Sequence, residues 1–195
     1  FMSNLIIKNT PIENLKTIKH RVNKDERGFL SRLFCQKTLS HLIKGKNICQ
    51  INHTLTLKEG TIRGLHFQLP PYNHVKLVYC ISGNVKDVVV DLRIGSPTYG
   101  KHLSINLSDN KRNMIYIPRG MAHGFCTISK TSTLVYKTST IHNPDKDTGI
   151  KWDSAGISWP NINQIISDRD KSFLSLKELN SPFKFKKELR RRRKF

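Results

Sequence analysis

The sequence predicts an all-β protein, a sandwich or barrel of short strands with a few short helices. Apolar, β-branched segments recur through the middle of the chain at intervals of about 8–12 residues, and turn residues separate them. Several segments alternate strictly between apolar and polar residues, as half-buried strands do. Helical periodicity is confined to two short stretches, residues 37–43 and 167–179. The helices are therefore expected at the periphery of a β domain.

The strands can be followed one by one along the chain. Predicted strands cover residues 49–57, 76–81, 85–92, 103–107, 114–117, 125–128 and 133–138. Ser82, Gly83 and Asn84 separate the second of these from the third, which predicts a β-hairpin with a loop of about two to three residues. Pro118 and Gly120 mark a further turn before the strand at 125–128.

Length and charge indicate one domain followed by a basic tail. The chain has 195 residues, of which 37% are hydrophobic, enough to bury a substantial core. We place the domain at residues 2–183 and the tail at residues 184–195. The tail holds eight basic residues and one acidic residue, so seven of the twenty net positive charges lie in it. A basic body suits a polyanionic ligand, either a nucleic acid or a nucleotide diphosphate.

The apolar segments and the cysteines indicate in which cellular compartment the protein is expected. No run of about 18 apolar residues is present, so the sequence predicts no membrane contact. The first residues have no apolar segment of the kind that directs secretion. The cysteines lie far apart without a Cys-x-x-Cys pair, at Cys35, Cys49, Cys80 and Cys126. We therefore expect reduced thiols and a cytoplasmic protein.

Four polar residues within or beside the strands are not explained by β propensity. They are His66, Lys76, His123 and Tyr136. Alternate side chains of a barrel strand point inward, so these four can converge on one ligand cavity. Each also has a plainer interpretation, as a core histidine, a buried aromatic residue or a lysine stem lying on the surface. Their combination is what indicates a site.

The motifs around these residues belong to a longer series, which includes RGLHFQ at 63–68 and IPRGMAHGF at 117–125. From about residue 25 to residue 170 the chain resembles the dTDP-4-dehydrorhamnose 3,5-epimerase family, in family order and with near-family spacing. The resemblance implies a cupin-type jelly roll, also called a double-stranded β-helix. The matching segments are 25–29, 50–53, 63–68, 76–78, 88–93, 95–100, 117–125, 136–138, 156–160 and 166–170.

The resemblance implies a catalytic set for inverting carbons beside the ketone of a nucleotide-linked 4-keto-6-deoxysugar. By resemblance His66 is the general base that removes the C3 and C5 protons, and Asp170 pairs with its other ring nitrogen. Lys76 faces the C4 oxygen and stabilises the enolate. Tyr136 returns a proton from the opposite face. Epimerisation needs these three functions because protons beside a ketone are weakly acidic.

The resemblance also implies a binding set and a homodimer. Arg27, Arg63 and His123 match positions that hold the diphosphate and the sugar, and in the family Arg27 reaches into the site of the partner subunit. Arginine suits phosphate oxygens because its guanidinium forms bidentate, charge-assisted hydrogen bonds. Gln50 and Asn52 match residues near the nucleoside. We expect a homodimer that forms by pairing of N-terminal strands and shares Arg27.

Two positions depart from the family pattern near the nucleobase. Arg32 stands where the family usually has an acidic residue, and His142 stands where it usually has a tyrosine that stacks on thymine. The loop from His142 to Asp147, which we also assign to substrate binding, keeps the family spacing. Either the nucleobase differs from thymine, or Arg32 pairs elsewhere and Gln50 and Asn52 still recognise dTDP.

No metal or other cofactor is expected. Many cupins bind a metal through a His-x-His pair, a carboxylate and a later histidine. Here Phe67 and Gln68 follow His66, so the His-x-His pair is missing, and only the 118–123 half of the pattern is present. A single histidine without clustered carboxylates does not make a three-ligand site.

Three alternative functions remain at this point. The first is a cupin 3,4-ketoisomerase, which also moves protons beside the ketone but for which we would not expect Lys76 and Tyr136 together with Asp170. The second is a monofunctional epimerase that inverts only C3 or only C5, with the same base and acid. The third is a non-catalytic nucleic-acid-binding protein, suggested by the charge. Against this third function, the basic tail of this chain lacks the interleaved aromatic residues that single-strand binders use.

Overall fold

Two β-sheets face each other in the computed structural model, which describes residues 5–43 and 47–187. In the described ranges the strands are β1 Leu5–Asn9, β2 Lys16–His20, β3 Val22–Asp25, β4 Gly28–Ser31, β5 Gln50–Thr56, β6 Thr61–Gln68, β7 Lys76–Ser82, β8 Asn84–Asp91, β9 His102–Ser108, β10 Asn113–Ile117, β11 Met121–Thr127, β12 Ser132–Thr138, β13 Asp147–Gly149 and β14 Ile165–Ile166. The helices are α1 Gln36–Ile43, α2 Asp168–Lys171 and a 3-10 turn at Pro144–Lys146.

Successive strands alternate between the two sheets. The first sheet has the order β1-β2-β10-β7-β12-β5, and the second has the order β13-β6-β11-β8-β9, with β14 paired to β6. From β5 to β8 each strand crosses to the opposite sheet, and β10, β11 and β12 do the same. This alternation is that of a cupin-type jelly roll. The prediction of an all-β fold with short peripheral helices is confirmed.

The predicted hairpin at residues 82–84 is wrong. β7 pairs with β10 and β12, whereas β8 pairs with β9 and β11, so the two strands lie in different sheets. Gly83 has φ +82°, and a Cβ there would lie 2.3 Å from the carbonyl oxygen of Thr131. Only glycine fits this corner, which transfers the chain between the sheets. A hairpin and such a corner use the same turn residues, so the local sequence cannot separate them.

The hydrophobic core lies between the sheets at one end of the sandwich. Val78, Ile115 and Leu134 of the first sheet pack against Val89 and other buried residues of the second. Two further clusters cover the outer faces. One packs α1 on the first sheet, and the other packs the chain after β13 on the second. At the other end polar side chains, among them His66, Lys76 and Tyr136, lie between the sheets and surround a cavity together with a few apolar residues.

The predicted helix at 167–179 is much shorter than expected. Only Asp168–Lys171 is helical, since the amide of Ser172 closes the last turn and the chain continues in turns. Leu176 and Leu179 pack on the second sheet without a helix. Apolar spacing in this segment therefore reflects packing on a sheet rather than helical periodicity.

The predicted tail begins in contact with the domain. Lys184 forms a β-bridge with Ile94, and the amide of Phe185 donates to the Ile94 carbonyl at 2.9 Å. Residues 188–195, which carry the arginine run, lie outside the described residues. Among the residues described, no helix is long and apolar enough to cross a membrane.

Candidate active site

The open end of the sandwich contains a cavity of about 640 Å³. β5, β7 and β12 contribute its wall from the first sheet, and β6 and β11 contribute the facing wall. Ten of the eleven residues predicted for the site line this cavity: Gln50, Asn52, Arg63, His66, Lys76, His123, Tyr136, His142, Asp147 and Asp170. The structure therefore brings together residues from 50 to 170 that the sequence only associates by motif.

His66 and Asp170 form a close pair. Nε2 of His66 lies 2.8 Å from Oδ1 of Asp170, and Oδ2 of Asp170 accepts the amide hydrogen of Gly64 at 2.9 Å. Burial favours a raised pKa for Asp170, but the hydrogen bonds from His66, Gly64 and Ser167 outweigh it and the pKa is lowered. A carboxylate only accepts, so the His66 hydrogen lies on Nε2. Nδ1 is left with a lone pair that can take a proton.

A glycine contact between β6 and β11 makes this pair possible. Gly64 has φ +139°, and a Cβ there would lie 2.5 Å from Cα of Gly124. The two strands can approach this closely only because neither residue has a side chain. The arrangement directs the Gly64 amide at Asp170.

Lys76 is a buried cation that lines the cavity between the sheets. Its Nζ lies 3.5 Å from Nδ1 of His123 and 5.6 Å from the centroid of the Tyr136 ring. Burial lowers the pKa of Lys76 to about 8, although the charges of Asp147 and Asp87 act in the opposite direction. Lys76 therefore remains mainly cationic at neutral pH and can stabilise a negative oxygen.

His66 and Tyr136 reach the cavity from opposite walls. His66 is on β6 in the second sheet, while Tyr136 is on β12 in the first, opposite Asn52 of β5 and Val78 of β7. Both line the same cavity. A flat substrate between the sheets would present one face to the imidazole and the other to the phenol. This is the arrangement that inversion at carbon requires.

One end of the cavity is polar and reaches the surface. Gln50 donates to Oδ1 of Asn52 at 2.9 Å and accepts the amide hydrogen of His142 at 2.7 Å. Asp147 pairs with Arg169 at 2.6 Å. The Gln50–His142 contact ties β5 to the loop after β12, and the Asp147–Arg169 pair ties β13 to α2.

Arg27 is the predicted site residue that this single chain does not place at the cavity. It lies between β3 and β4, its side chain is 83% exposed, and it pairs with Asp25 at 2.6 Å. Arg32, which follows β4, is also exposed and does not line the cavity. Within one chain, both arginines therefore lie away from the binding edge.

Among the cavity residues that were not predicted from the sequence are His74, Gln68 and Arg169. His74 precedes Lys76 by two residues, and burial together with the Lys76 charge lowers its pKa to about 3, so it is neutral. Gln68 donates to Nδ1 of His74 at 3.1 Å and accepts the amide hydrogen of Asn143 at 2.7 Å. Arg169 lines the cavity next to Asp170. The sequence offered two signals for them: His74 lies two residues before Lys76, and Arg169 directly precedes Asp170.

Comparison with known proteins decides the family. The model of the family described as dTDP-4-dehydrorhamnose 3,5-epimerase matches residues 9–178. The chain belongs to this family. A dTDP-4-dehydrorhamnose 3,5-epimerase of Sinorhizobium fredii is 39% identical over 179 residues, which cover 90% of this chain and 92% of the relative.

Solved structures agree with the family assignment. The crystal structure of an epimerase from Legionella pneumophila, in complex with dTDP-4-keto-L-rhamnose, superposes with a TM-score of 0.88 at 31% identity. The superposition covers 94% of this chain and 100% of the Legionella pneumophila chain.

The relatives also include a dTDP-4-dehydrorhamnose 3-epimerase of Streptomyces niveus. It is 35% identical over 170 residues, which cover 86% of this chain and 82% of the relative. The matches to this epimerase family thus include an enzyme named for one carbon.

Proposed function

We propose that this epimerase inverts C3 and C5 of a dTDP-linked 4-keto-6-deoxyhexose by removing and returning protons beside the ketone. The observation that carries the proposal is the cavity with the His66–Asp170 pair on one wall and Tyr136 on the other. Lys76 provides a cation in the same cavity, 5.6 Å from the centroid of the Tyr136 ring. No single one of these residues performs an inversion, but together they provide a base, an acid on the opposite face and a charge stabiliser.

The reaction follows from the geometry in two proton transfers. Nδ1 of His66 takes the proton from C3 or C5, and the electron pair of the broken C–H bond forms an enolate with its charge on the C4 oxygen. The Lys76 ammonium stabilises that charge. The Tyr136 hydroxyl then gives its proton to the opposite face of the carbon, which restores the ketone. Solvent returns a proton to the phenolate and removes one from His66.

The diphosphate and nucleoside are assigned to the polar edge of the cavity. Arg63 and Arg169 bring positive charge to its rim, where phosphate oxygens can accept bidentate hydrogen bonds. Gln50, Asn52 and His142 lie along the same edge. The cavity volume of about 640 Å³ is in the range of ligand-binding sites for small molecules. Asp147 holds Arg169 at 2.6 Å and so fixes its direction.

We assign thymine as the nucleobase, because the relatives are named for dTDP substrates. His142 has an aromatic ring that can stack on the base in the position where the family usually has tyrosine. The test compares kcat/KM for dTDP-, CDP-, GDP- and UDP-linked 4-keto sugars. The dTDP substrate should be preferred, and His142→Tyr should lower its KM. A preference for another nucleobase would contradict the assignment of thymine but not the proposed epimerisation.

We propose that two copies of the chain form a homodimer in which Arg27 enters the partner's site. β3 and β4 pair as a separate hairpin, and on β4 Phe29 is 56% and Leu30 72% exposed. Ile51 and Leu55, on the outer side of β5, are also more than half exposed. Exposed apolar side chains on an edge strand and a separate hairpin favour pairing with another copy.

The reaction is proposed to need no metal. Among the described residues no three His, Cys, Asp or Glu side chains are clustered so as to hold an ion. Exhaustive chelation should leave the rate unchanged, and a stoichiometric metal whose content tracks activity would contradict this. The four thiols are unpaired, which supports our proposal of a reducing, cytoplasmic compartment.

A monofunctional 3-epimerase is the second candidate, because the Streptomyces niveus relative carries that name. The same base and acid would serve either carbon, so the site geometry does not separate the two activities. The position of isotope exchange does. Exchange confined to C3 would select the monofunctional enzyme.

A further inference from the structure

Asp87 is a buried carboxylate behind the cavity wall. It lies on β8, is 0% exposed, and does not line the cavity. Its Oδ2 lies 2.8 Å from Nε2 of His123, while its Oδ1 has no hydrogen-bond partner among the described residues. Burying a carboxylate destabilises the folded protein unless the carboxylate is paired. An apolar side chain at this position would fill the same space without that penalty. The pair with His123 is therefore the feature to explain.

The pair lies directly beside the proposed catalytic base. His123 on β11 is the register partner of His66 on β6, and Val89 of β8 is its partner on the other side. Asp87 is two residues from Val89, so its side chain is on the same face and reaches the imidazole diagonally. The second sheet thus carries two adjacent histidines, each bound through Nε2 to an aspartate.

The hydrogen bond with Asp87 determines the form of the His123 ring. A carboxylate only accepts, so Nε2 of His123 carries the hydrogen. Burial and the nearby Lys76 charge lower the pKa of His123, and Asp87 opposes them without reversing the direction. The ring is therefore neutral, and its Nδ1 has a free lone pair. Nδ1 lies 3.5 Å from Nζ of Lys76, at the long limit of a hydrogen bond.

We propose that Asp87 is a positioning residue: by fixing His123 as the Nε2–H form, it provides an acceptor at Nδ1 that holds the Lys76 ammonium towards the C4 oxygen of the substrate. This inference rests on the proposed function, in which Lys76 stabilises the enolate. The opposite tautomer would direct an N–H at the ammonium and push it away. An Nδ1 atom without a hydrogen also cannot donate a hydrogen bond to a phosphate oxygen. His123 is therefore assigned to the part of the site that holds the sugar rather than the diphosphate.

A direct test measures the His123 tautomer without any turnover. Two-bond ¹H–¹⁵N NMR spectra of protein labelled at histidine distinguish Nε2–H from Nδ1–H, and the signals lost in His123→Asn assign the ring. We expect Nε2–H at neutral pH in the wild type. An Nδ1–H form in the wild type overturns the inference, whether or not the protein is an epimerase. The proposed function fails separately, if no 4-keto substrate is converted.

A kinetic cycle tests whether Asp87 acts through His123. Asp87→Asn can donate to Nε2 and so reverse the tautomer; kcat should fall about 10²-fold, the scale for losing an oriented charge stabiliser, with little change in KM. His123→Asn should retain more activity than His123→Gln, because the asparagine oxygen can replace Nδ1. In the His123→Asn background, Asp87→Asn should have almost no further effect.

Two outcomes of the cycle contradict the inference. One is a loss from Asp87→Asn that is equally large in the His123→Asn background. The other is a loss in which KM rises and kcat is unchanged, since Asp87 would then support binding. Circular dichroism and dTDP binding show whether the Asp87→Asn variant is folded. If it is not folded, the wild-type tautomer alone decides.

Discussion

Oδ1 of Asp170 and Nε2 of His66 lie 2.8 Å apart, although 104 residues separate them in the chain. The contact forms because β14 pairs in parallel with the start of β6, and the short helix α2 follows directly after it. Ser167 caps α2 by accepting the amide hydrogen of Asp170. The orientation of the proposed base therefore depends on how the C-terminal segment packs against one strand.

Asp170→Asn should reduce proton exchange about 10²-fold or more, while dTDP still binds. An asparagine amide can donate to Nε2 of His66, which moves the ring hydrogen to Nδ1 and removes the lone pair that takes the substrate proton. The measurement is the initial rate of deuterium incorporation. Asp168→Asn is the matched control, because Asp168 is on the same helix and fully exposed. Wild-type exchange in Asp170→Asn would exclude the pair as the base.

Tyr136→Phe should separate proton removal from inversion. His66 remains intact in this variant, so exchange with solvent on the original face should persist while the inverted product falls by about 10²-fold or more. Exchange and product formation are both measured by NMR in the same reaction. Tyr99→Phe, at an exposed position outside the cavity, is the control. Equal loss of exchange and inversion would show that Tyr136 has another role.

The activity should decline in alkaline solution because of Lys76. Its pKa is lowered to about 8, and the cation is the form that stabilises the enolate, so kcat/KM should fall as the pH rises through that value. Lys76→Arg keeps its charge at every pH tested, since the pKa of arginine lies above about 12. Whatever activity that variant retains should lack this decline. A wild-type profile that stays flat well above pH 8 would contradict the assignment of Lys76.

Mixed dimers test whether Arg27 acts on the partner's site. Arg27→Ala and His66→Ala should each be nearly inactive, because each lacks one essential residue at every site. In a random mixture about half of the dimers are mixed and have one complete site, so about a quarter of the wild-type activity should return. Recovery requires that Arg27 comes from the other subunit. A mixture as inactive as its components, or a fully active monomer, would contradict the shared site.

The sequence was sufficient for seven of the fourteen described strands, β5 and β7–β12, and for ten of the residues that line the cavity. Strict alternation marks a half-buried strand without knowledge of the partner strand, and the resemblance supplied residues such as His66 and Tyr136. The corner at Gly83 was taken for a hairpin because pairing is decided by distant strands, not by the turn. The segment after Asp170 was taken for a helix because its leucines pack on a sheet.

Residues defined only by their surroundings were beyond reach from sequence. His74 has no motif of its own, and its role as a neutral cavity residue depends on burial and on the contact with Gln68. Asp87 lies in an apolar strand and becomes notable only when His123 is seen beside it. The sequence around a histidine or an aspartate in a strand does not indicate which residue it will bind. Here the two partners come from different strands, Asp87 from β8 and His123 from β11.

The most direct test of the central claim is proton exchange at the sugar. The wild-type protein is incubated with a dTDP-linked 4-keto-6-deoxyhexose in D₂O, and NMR locates the deuterium. We predict deuterium at C3 and C5 with inverted stereochemistry, and none at either carbon in His66→Ala, although that variant still binds dTDP. Exchange in His66→Ala at the wild-type rate, or a product in which the ketone has moved to C3, would contradict the account.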